Sequence, residues 1–230
     1  DLGVSGSVRL SQWEKNKSFE DPWGYGAAST WLTLRPAEVL GLKFYADGYL
    51  QSQNVYRSNE SYGDLRELYL EKSVGSWDFK LGRSITVWGR ADKVNPTDQL
   101  SVRNYRLLMV DDEDQRTGIF SSQIVYNVDT FRLIMLWTPE WRSPVFPIPP
   151  VTGVSFSDQR PDRANEQVAF KIDQAGGALD WSLSYFHGFN KSPDIKIASS
   201  SPQGVQLVFN YGQIDVYGAD FATAIGGIGL

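Results

Sequence analysis

Residues 77–88 read Trp77-Asp78-Phe79-Lys80-Leu81-Gly82-Arg83-Ser84-Ile85-Thr86-Val87-Trp88. Trp77, Phe79, Leu81, Ile85 and Val87 share one parity, and Asp78, Lys80, Ser84 and Thr86 share the other. A helix would return its apolar residues every three to four positions, whereas a strand sends alternate side chains to opposite faces. The segment is therefore a strand with one apolar and one polar face, and about ten residues is the length a tilted strand needs to cross bilayer hydrocarbon.

The same period of two recurs on both sides of this segment. Leu2, Val4, Val8 and Leu10 oppose Ser5, Ser7, Arg9 and Ser11 in residues 1–13. Alternation continues through 25–35, 41–53 and 63–72, where Leu42, Phe44, Leu68 and Leu70 oppose Lys43, Asp47, Glu67 and Glu71. Downstream it covers 119–127, 130–138, 165–173, 179–189, 203–211 and 213–223. This predicts about eleven strands, close to half the chain, against about a quarter in ordinary domains.

The connections sort by length. Short ones fall near 36–40, 73–76, 127–129, 174–178 and 211–213, and long ones near 14–24, 54–62, 89–118, 139–164 and 190–202. Outer-membrane barrels have this asymmetry, with tight periplasmic turns and long outer loops. The expected fold class is all-β, an antiparallel transmembrane β-barrel forming one domain over residues 1–230. Trp13, Trp23, Trp77, Trp88, Trp137 and Tyr211 near strand ends are expected to form interfacial girdles. Eleven is an odd count where bacterial single-chain barrels use even numbers. The expectation is that these residues are the N-terminal part of a larger barrel, with a small barrel of ten or twelve strands as the alternative.

Composition narrows the function. Eight Trp, 11 Tyr and 12 Phe stand beside 21 Gly, and mean hydropathy is −0.33 although 41% of residues are apolar. Alternating lipid-facing and lumen-facing positions produce that combination. Net charge is −5 and Lys and Arg form no run, which argues against a nucleic-acid partner. With no Cys the chain forms no disulfide, thiolate metal site or covalent haem link. One histidine, His187, excludes a multi-histidine metal centre. Ser184 stands on the opposite strand parity from His187, and Gly-x-Ser-x-Gly is absent, so no enzyme activity and no cofactor are expected. No run of 18 apolar residues predicts a membrane helix. The chain opens at Asp1 with no basic-then-apolar leader, and is expected to be the mature form after signal-peptide removal.

Candidate functional residues follow from parity. Arg9, Arg35, Lys43, Lys80, Arg132 and Lys171 are basic and Asp47, Glu67, Glu71, Asp78 and Asp173 acidic on the polar parity. Charges on a lumen wall set solute and ion selectivity. Arg83 shares parity with Phe79 and Leu81, which would cost about 2–4 kcal/mol at the bilayer midplane. A bulge at Gly82 is expected to turn Arg83 into the lumen, the alternative being a guanidinium snorkelling at the rim. The stretch 89–118 is too long for a simple connection and calls for a functional reading. It carries Asp111-Asp112-Glu113-Asp114, which lacks the alternating ligands and Gly of an EF-hand loop. Pro139, Pro144, Pro147, Pro149, Pro150 and Pro161 make 139–164 stiff and extended, a lid or a partner surface bearing Val145, Phe146 and Ile148.

Asp78-Phe79-Lys80-Leu81-Gly82-Arg83 followed by the long stretch resembles general porins. In them the loop after strand five folds into the barrel and sets acidic residues against a basic wall. Gly82-Arg83, Trp88-Gly89 and Pro96-Thr97-Asp98 are similar to a porin-like family of proteobacterial outer-membrane proteins with a Gly-Arg…Trp-Gly…Pro-x-Asp pattern. Trp137-Thr138-Pro139-Glu140-Trp141, with Pro144 and Pro147, resembles the start of that family's next long loop. The likeness spans about residues 63–150, and the acidic run departs from it. It implies a channel for passive diffusion of small solutes, narrowed by 89–118. Arg9, Lys43, Asp47, Glu67, Lys80, Arg83, Arg132, Asp111, Asp112, Glu113 and Asp114 would then be its pore-lining and constriction residues.

The expected surroundings are outer-membrane lipid and small-molecule solutes, with further copies of the chain or a partner protein as the two candidate protein neighbours. Two rival readings stand beside the channel. One is a sheath around a partner such as a multihaem cytochrome, which needs a wide lumen with no inward loop. The other is a soluble carbohydrate-binding β-sandwich, which needs no detergent.

Overall fold

The computed structural model describes residues 2–13, 25–53, 60–88, 98–109, 111–148, 151–159, 166–176, 179–202, 204–225 and 228–229. Of the expected motif, Gly89 and Asn95-Pro96-Thr97 lie outside these residues, as do Trp23, Pro149, Pro150 and Pro161. Ten antiparallel strands form one sheet. In order across it they are β1 (Leu2–Trp13), β2 (Tyr25–Pro36), β3 (Leu42–Gln53), β4 (Glu60–Val74) and β5 (Trp77–Ser84), then β8 (Ile119–Val128), β9 (Phe131–Thr138), β11 (Gln167–Gln174), β12 (Asp180–Phe189) and β15 (Gln213–Ala222). Between β5 and β8, two-residue strands β6 (Val102–Arg103) and β7 (Arg116–Thr117) pair with each other. A second sheet joins β10 (Val154–Gln159), β13 (Asp194–Ser201) and β14 (Gly204–Asn210), and β16 (Ala224–Ile225) pairs β17 (Ile228–Gly229).

Register carries the alternation through the sheet. Leu81 of β5 faces Leu70 and Ser122, Met135 faces Ile124 and Phe170, and Tyr185 faces Phe170 and Tyr217. One face is consequently apolar and largely bare, with Leu10 82%, Tyr217 80% and Phe221 73% exposed. Neighbouring strands turn at one end through tight connections. Leu40, Gly41, Gly75, Asp129 and Gly176 all take positive φ there. Gly75-Ser76 is a two-residue hairpin between the paired Val74 and Trp77, and its φ of 59° suits glycine.

Three expectations are corrected. The strand expected at 203–211 leaves the main sheet: β14 pairs antiparallel with β13 and parallel with β10. Its Val205, Leu207 and Phe209 alternate correctly, but alternation does not specify a partner. A parallel pair needs a long crossover, and the chain supplies one by running through β11 and β12 before returning. The connection at 211–213 is accordingly at the long-loop end, where Phe189 pairs Gln213. The main sheet thus has ten strands rather than eleven. Second, the described pairings do not close it into a barrel: β1 and β15 are its edge strands. Third, β5 stops at Ser84. Trp88, beyond the strand, is 2% exposed, and Tyr211 is 5% exposed, so neither belongs to an interfacial girdle. Trp77 and Trp137 remain exposed on the apolar face.

Candidate functional site

The polar face splits into two territories. Over β8, β9, β11 and β12 it carries Val125, Ile134, Leu136, Ala169 and Phe186, packed with Trp88 and Leu100. Over β1 to β4 it is charged and hydrogen-bonding, and there residues 106–109 and 111–118 lie against it. Leu107, 1% exposed, packs on Trp31 and Tyr49. Gln51 Nε2 donates to the Leu108 carbonyl (3.4 Å) and Gln53 Nε2 to the Arg106 carbonyl (3.0 Å), while Leu108 N–H donates to Gln53 Oε1 (3.3 Å). These amides give loop backbone the partners that buried peptide groups require.

Three arginines clamp the segment. Arg66 donates from Nη1 to Asp47 Oδ2 (3.2 Å), from Nε to the Arg116 carbonyl (3.0 Å) and from Nη2 to the Glu113 carbonyl (3.2 Å). Arg142 donates to Thr117 Oγ1 (3.0 Å), the Gly118 carbonyl (2.9 Å) and both oxygens of Asp64 (3.3 Å). Arg9 ion-pairs with Asp114. Arg9 and Arg66 also stand 4.8 and 4.9 Å from the Trp31 ring centroid, within cation–π reach. At the exit, Gly118 N–H donates to the Arg66 carbonyl (3.0 Å), and a Cβ on Gly118 would meet that oxygen at 2.3 Å. The Pro-rich segment lies alongside: Tyr105 N–H donates to the Val145 carbonyl (2.8 Å), and Val145 N–H to the Arg103 carbonyl (3.0 Å).

A β-bulge makes the central clamp. The β3–β4 register shifts between Asp47 and Gly48, so Asp47 faces Glu67 while Gly48 faces Leu65. Arg66 is the extra residue, and Leu65 and Leu68 both remain on the apolar face. Sequence reasoning missed Arg66, though a signal was present: apolar residues three apart in a strand otherwise of period two. It also missed Asp64, Gln51 and Gln53, whose parity fits, and Arg142, which lies in no strand; their partners lie 53 to 78 residues away.

The expected residues are distributed as follows. Arg9 and Asp47 belong to the clamp. Lys43 and Lys80 both approach Glu71, at 3.7 and 3.8 Å, toward the tight-turn end. There Tyr45 and Tyr69 stack at 5.0 Å beneath Arg35 and Lys80. Arg132 joins Lys80, Glu71 and Asp78 around a small cavity of about 180 Å³. Glu67 accepts from Ile85 N–H (2.9 Å) at the loop's root. In the acidic run, Asp112–Gln115 forms one 3-10 turn. Asp111 is exposed, Glu113 lies 3.6 Å from Arg116, and the Asp112 side chain lies outside the described ones. The run does not face a basic ladder across open space: Asp114 is docked on the wall.

Arg83 is a correction. Pairing runs through Gly82 without a shift on either side. Gly82 has φ 131° and its missing Cβ would sit 2.4 Å from the Leu68 carbonyl, so the glycine serves close strand approach rather than a bulge. Arg83 therefore stays on the apolar face beside Leu68 and Phe120 and ion-pairs with Glu140 at 3.0 Å. It lies on the face opposite the one that carries Arg9, Asp47 and Arg66.

A second polar group is buried at the long-loop end. Lys191 Nζ lies 4.0 Å over the Trp141 ring, and Trp141 packs edge-on to Phe189 and Tyr211. Burial brings the Lys191 ammonium down to about 7, against the opposing pull of Asp98 and Glu140. Among the described residues, no group of three or more potential ligands could hold a metal ion, and no helix is long and apolar enough to cross a membrane. No protein-family model matches this chain, and no curated protein matches it.

Proposed function

We propose that this chain forms part of the wall of an outer-membrane, porin-like channel for passive diffusion of small polar solutes, with residues 98–118 as its constriction. The observation that carries the reading is the division of labour between the faces: ten strands present a bare apolar surface on one side, and a long loop is clamped onto the charged side by Arg9, Arg66 and Arg142. Lipid would cover the first face and solute would pass along the second. The sheath reading is disfavoured by a loop occupying the polar face. A soluble sandwich is disfavoured by exposed Leu2, Leu10, Tyr217 and Phe221, which a second layer would bury. Edges are not tolerated in hydrocarbon. The reading therefore assigns the pairing of β1 and β15 to further strands, of the same protein or of neighbouring copies.

The test is conductance of the native, full-length protein purified in detergent and added to planar bilayers. Discrete channels, with single-channel conductance raised when Asp114 or Arg66 is replaced, are expected. Extraction without detergent, or a membrane-inserted protein with no conductance, would overturn the reading. The intact mass of the same preparation separates a larger single-chain barrel from one closed by several copies.

A further inference from the structure

We propose that the long-loop end carries a binding site for a small organic cation with an apolar body, independent of the channel. The cavity lies between the Pro-rich segment and the second sheet and measures about 510 Å³. That is within the range of small-molecule sites. Ser143, Phe146, Ile148, Phe156, Asp158 and Phe209 line it. Phe209 is 8% exposed and forms its floor. Phe156 stacks on it at 5.8 Å with planes 19° apart, and Phe146 leans against it at 5.9 Å and 46°. Tyr105 extends the row, stacked on Phe146 at 5.6 Å. Phe156 and Ile148 are each 37% exposed, so the cavity presents apolar surface to the outside rather than sealing it.

One formal charge, the exposed Asp158, stands at the edge of this apolar surface. Phe156 and Asp158 are two apart on β10 and share a face, and the parallel register places Asp158 opposite Phe209. Ser143 Oγ donates to Asp158 Oδ2 at 3.1 Å. A carboxylate has about four lone-pair sites, so a single hydroxyl donor leaves capacity for an ammonium. Ring faces attract the same cation. An anion would meet the Asp158 charge and the negative faces of the rings. A sugar would find two serines and one carboxylate for its many hydroxyls, among three Phe, Pro144 and Ile148. An amine on an aromatic or alkyl body matches both the wall and the charge.

Ligand-observed NMR on the full chain in detergent tests this with three probes: 2-phenylethylammonium, its neutral isostere 2-phenylethanol, and phenylacetate. The ammonium is expected to bind about fivefold more tightly than the alcohol, the size of a cation–π contact at an exposed site, with phenylacetate weakest. Asp158→Asn should bring the ammonium to the level of the alcohol, and Phe156→Ala should weaken both. Equal binding of ammonium and alcohol to the unaltered protein would overturn the proposal without reliance on any variant. So would the absence of saturable binding, or an Asp158→Asn protein that keeps the preference.

Discussion

Arg66 Nη1 lies 3.2 Å from Asp47 Oδ2, with the two side chains only 12% and 9% exposed. Among the described residues few ion pairs are so withdrawn from water, and this one is placed by a bulge. The extra residue in β4 puts Arg66 on the polar face beside Glu67, and the guanidinium then spans β3, Trp31 and the loop carbonyls of Glu113 and Arg116. Asp47 holds a second partner, Thr33 Oγ1, at 2.7 Å. One planar side chain thus connects the main sheet to the loop that lies on it.

Replacing Arg66 should release the loop. Removing one partner of a buried pair costs about 3–5 kcal/mol, because the other charge stays buried. Arg66→Ala is expected to lower the thermal midpoint and expose residues 98–118 to protease. Arg66→Lys should rescue little, since a point ammonium does not reproduce a fork aimed at a carboxylate and two carbonyls. Arg66→Ala/Asp47→Ala should recover part of the loss, with thermal melts of the four proteins giving the coupling.

The Arg9–Asp114 pair should behave differently. Arg9 is 43% exposed and Asp114 15%. Pairs with one partner in water are worth about 1 kcal/mol or less and are screened by salt. A double-mutant cycle is expected to give a small coupling that shrinks at high salt. A coupling as large as that of Arg66–Asp47 would mean that Asp114 is the principal anchor.

Arg83 separates what parity reveals from what it conceals. The apolar and polar faces were readable from residues 77–88, since side-chain period is a local property of the backbone. Arg83 obeyed that parity, and the expected bulge arose at Arg66 instead, where Leu65 and Leu68 break the period. The loop's partners and the second sheet were not readable. Arg142 meets Asp64 across 78 residues, and β14 chooses β10 over the main sheet through a crossover that no local pattern marks. The prolines mark 139–164 as a stiff, extended loop, but nothing local marks the strand Val154–Gln159 within it or the hydrogen bonds of Val145 to Arg103 and Tyr105.

Its place on the apolar face makes Arg83 testable against a pore role. With Glu140 it forms a pair of about one-quarter to one-third exposure, and loss of the pair should cost about 1 kcal/mol. Arg83→Gln is expected to leave conductance and charge selectivity of the proposed channel unchanged, whereas Lys80→Gln should shift selectivity. A selectivity change in Arg83→Gln would return this residue to the lumen.

Lys191 predicts a pH dependence with a definite sign. Burial over Trp141 brings its ammonium from 10.5 down to about 7, although Asp98 and Glu140 favour the charged form. A lysine with a depressed folded value is penalised wherever the unfolded chain would hold a proton that the folded chain sheds or buries. Below about 7 the ammonium is charged in both states and the full penalty stands. From about 7 up to 10.5 the unfolded state binds more protons, so stability rises with pH, and above 10.5 the penalty is gone. Lys191→Met keeps the stem packed on Trp141 without the charge, and should raise the melting temperature at pH 7 and flatten its increase toward pH 10. The quantity to measure is the difference between the two proteins across that window, which cancels other titrations. A constant difference would show that Lys191 is not held in a desolvated state.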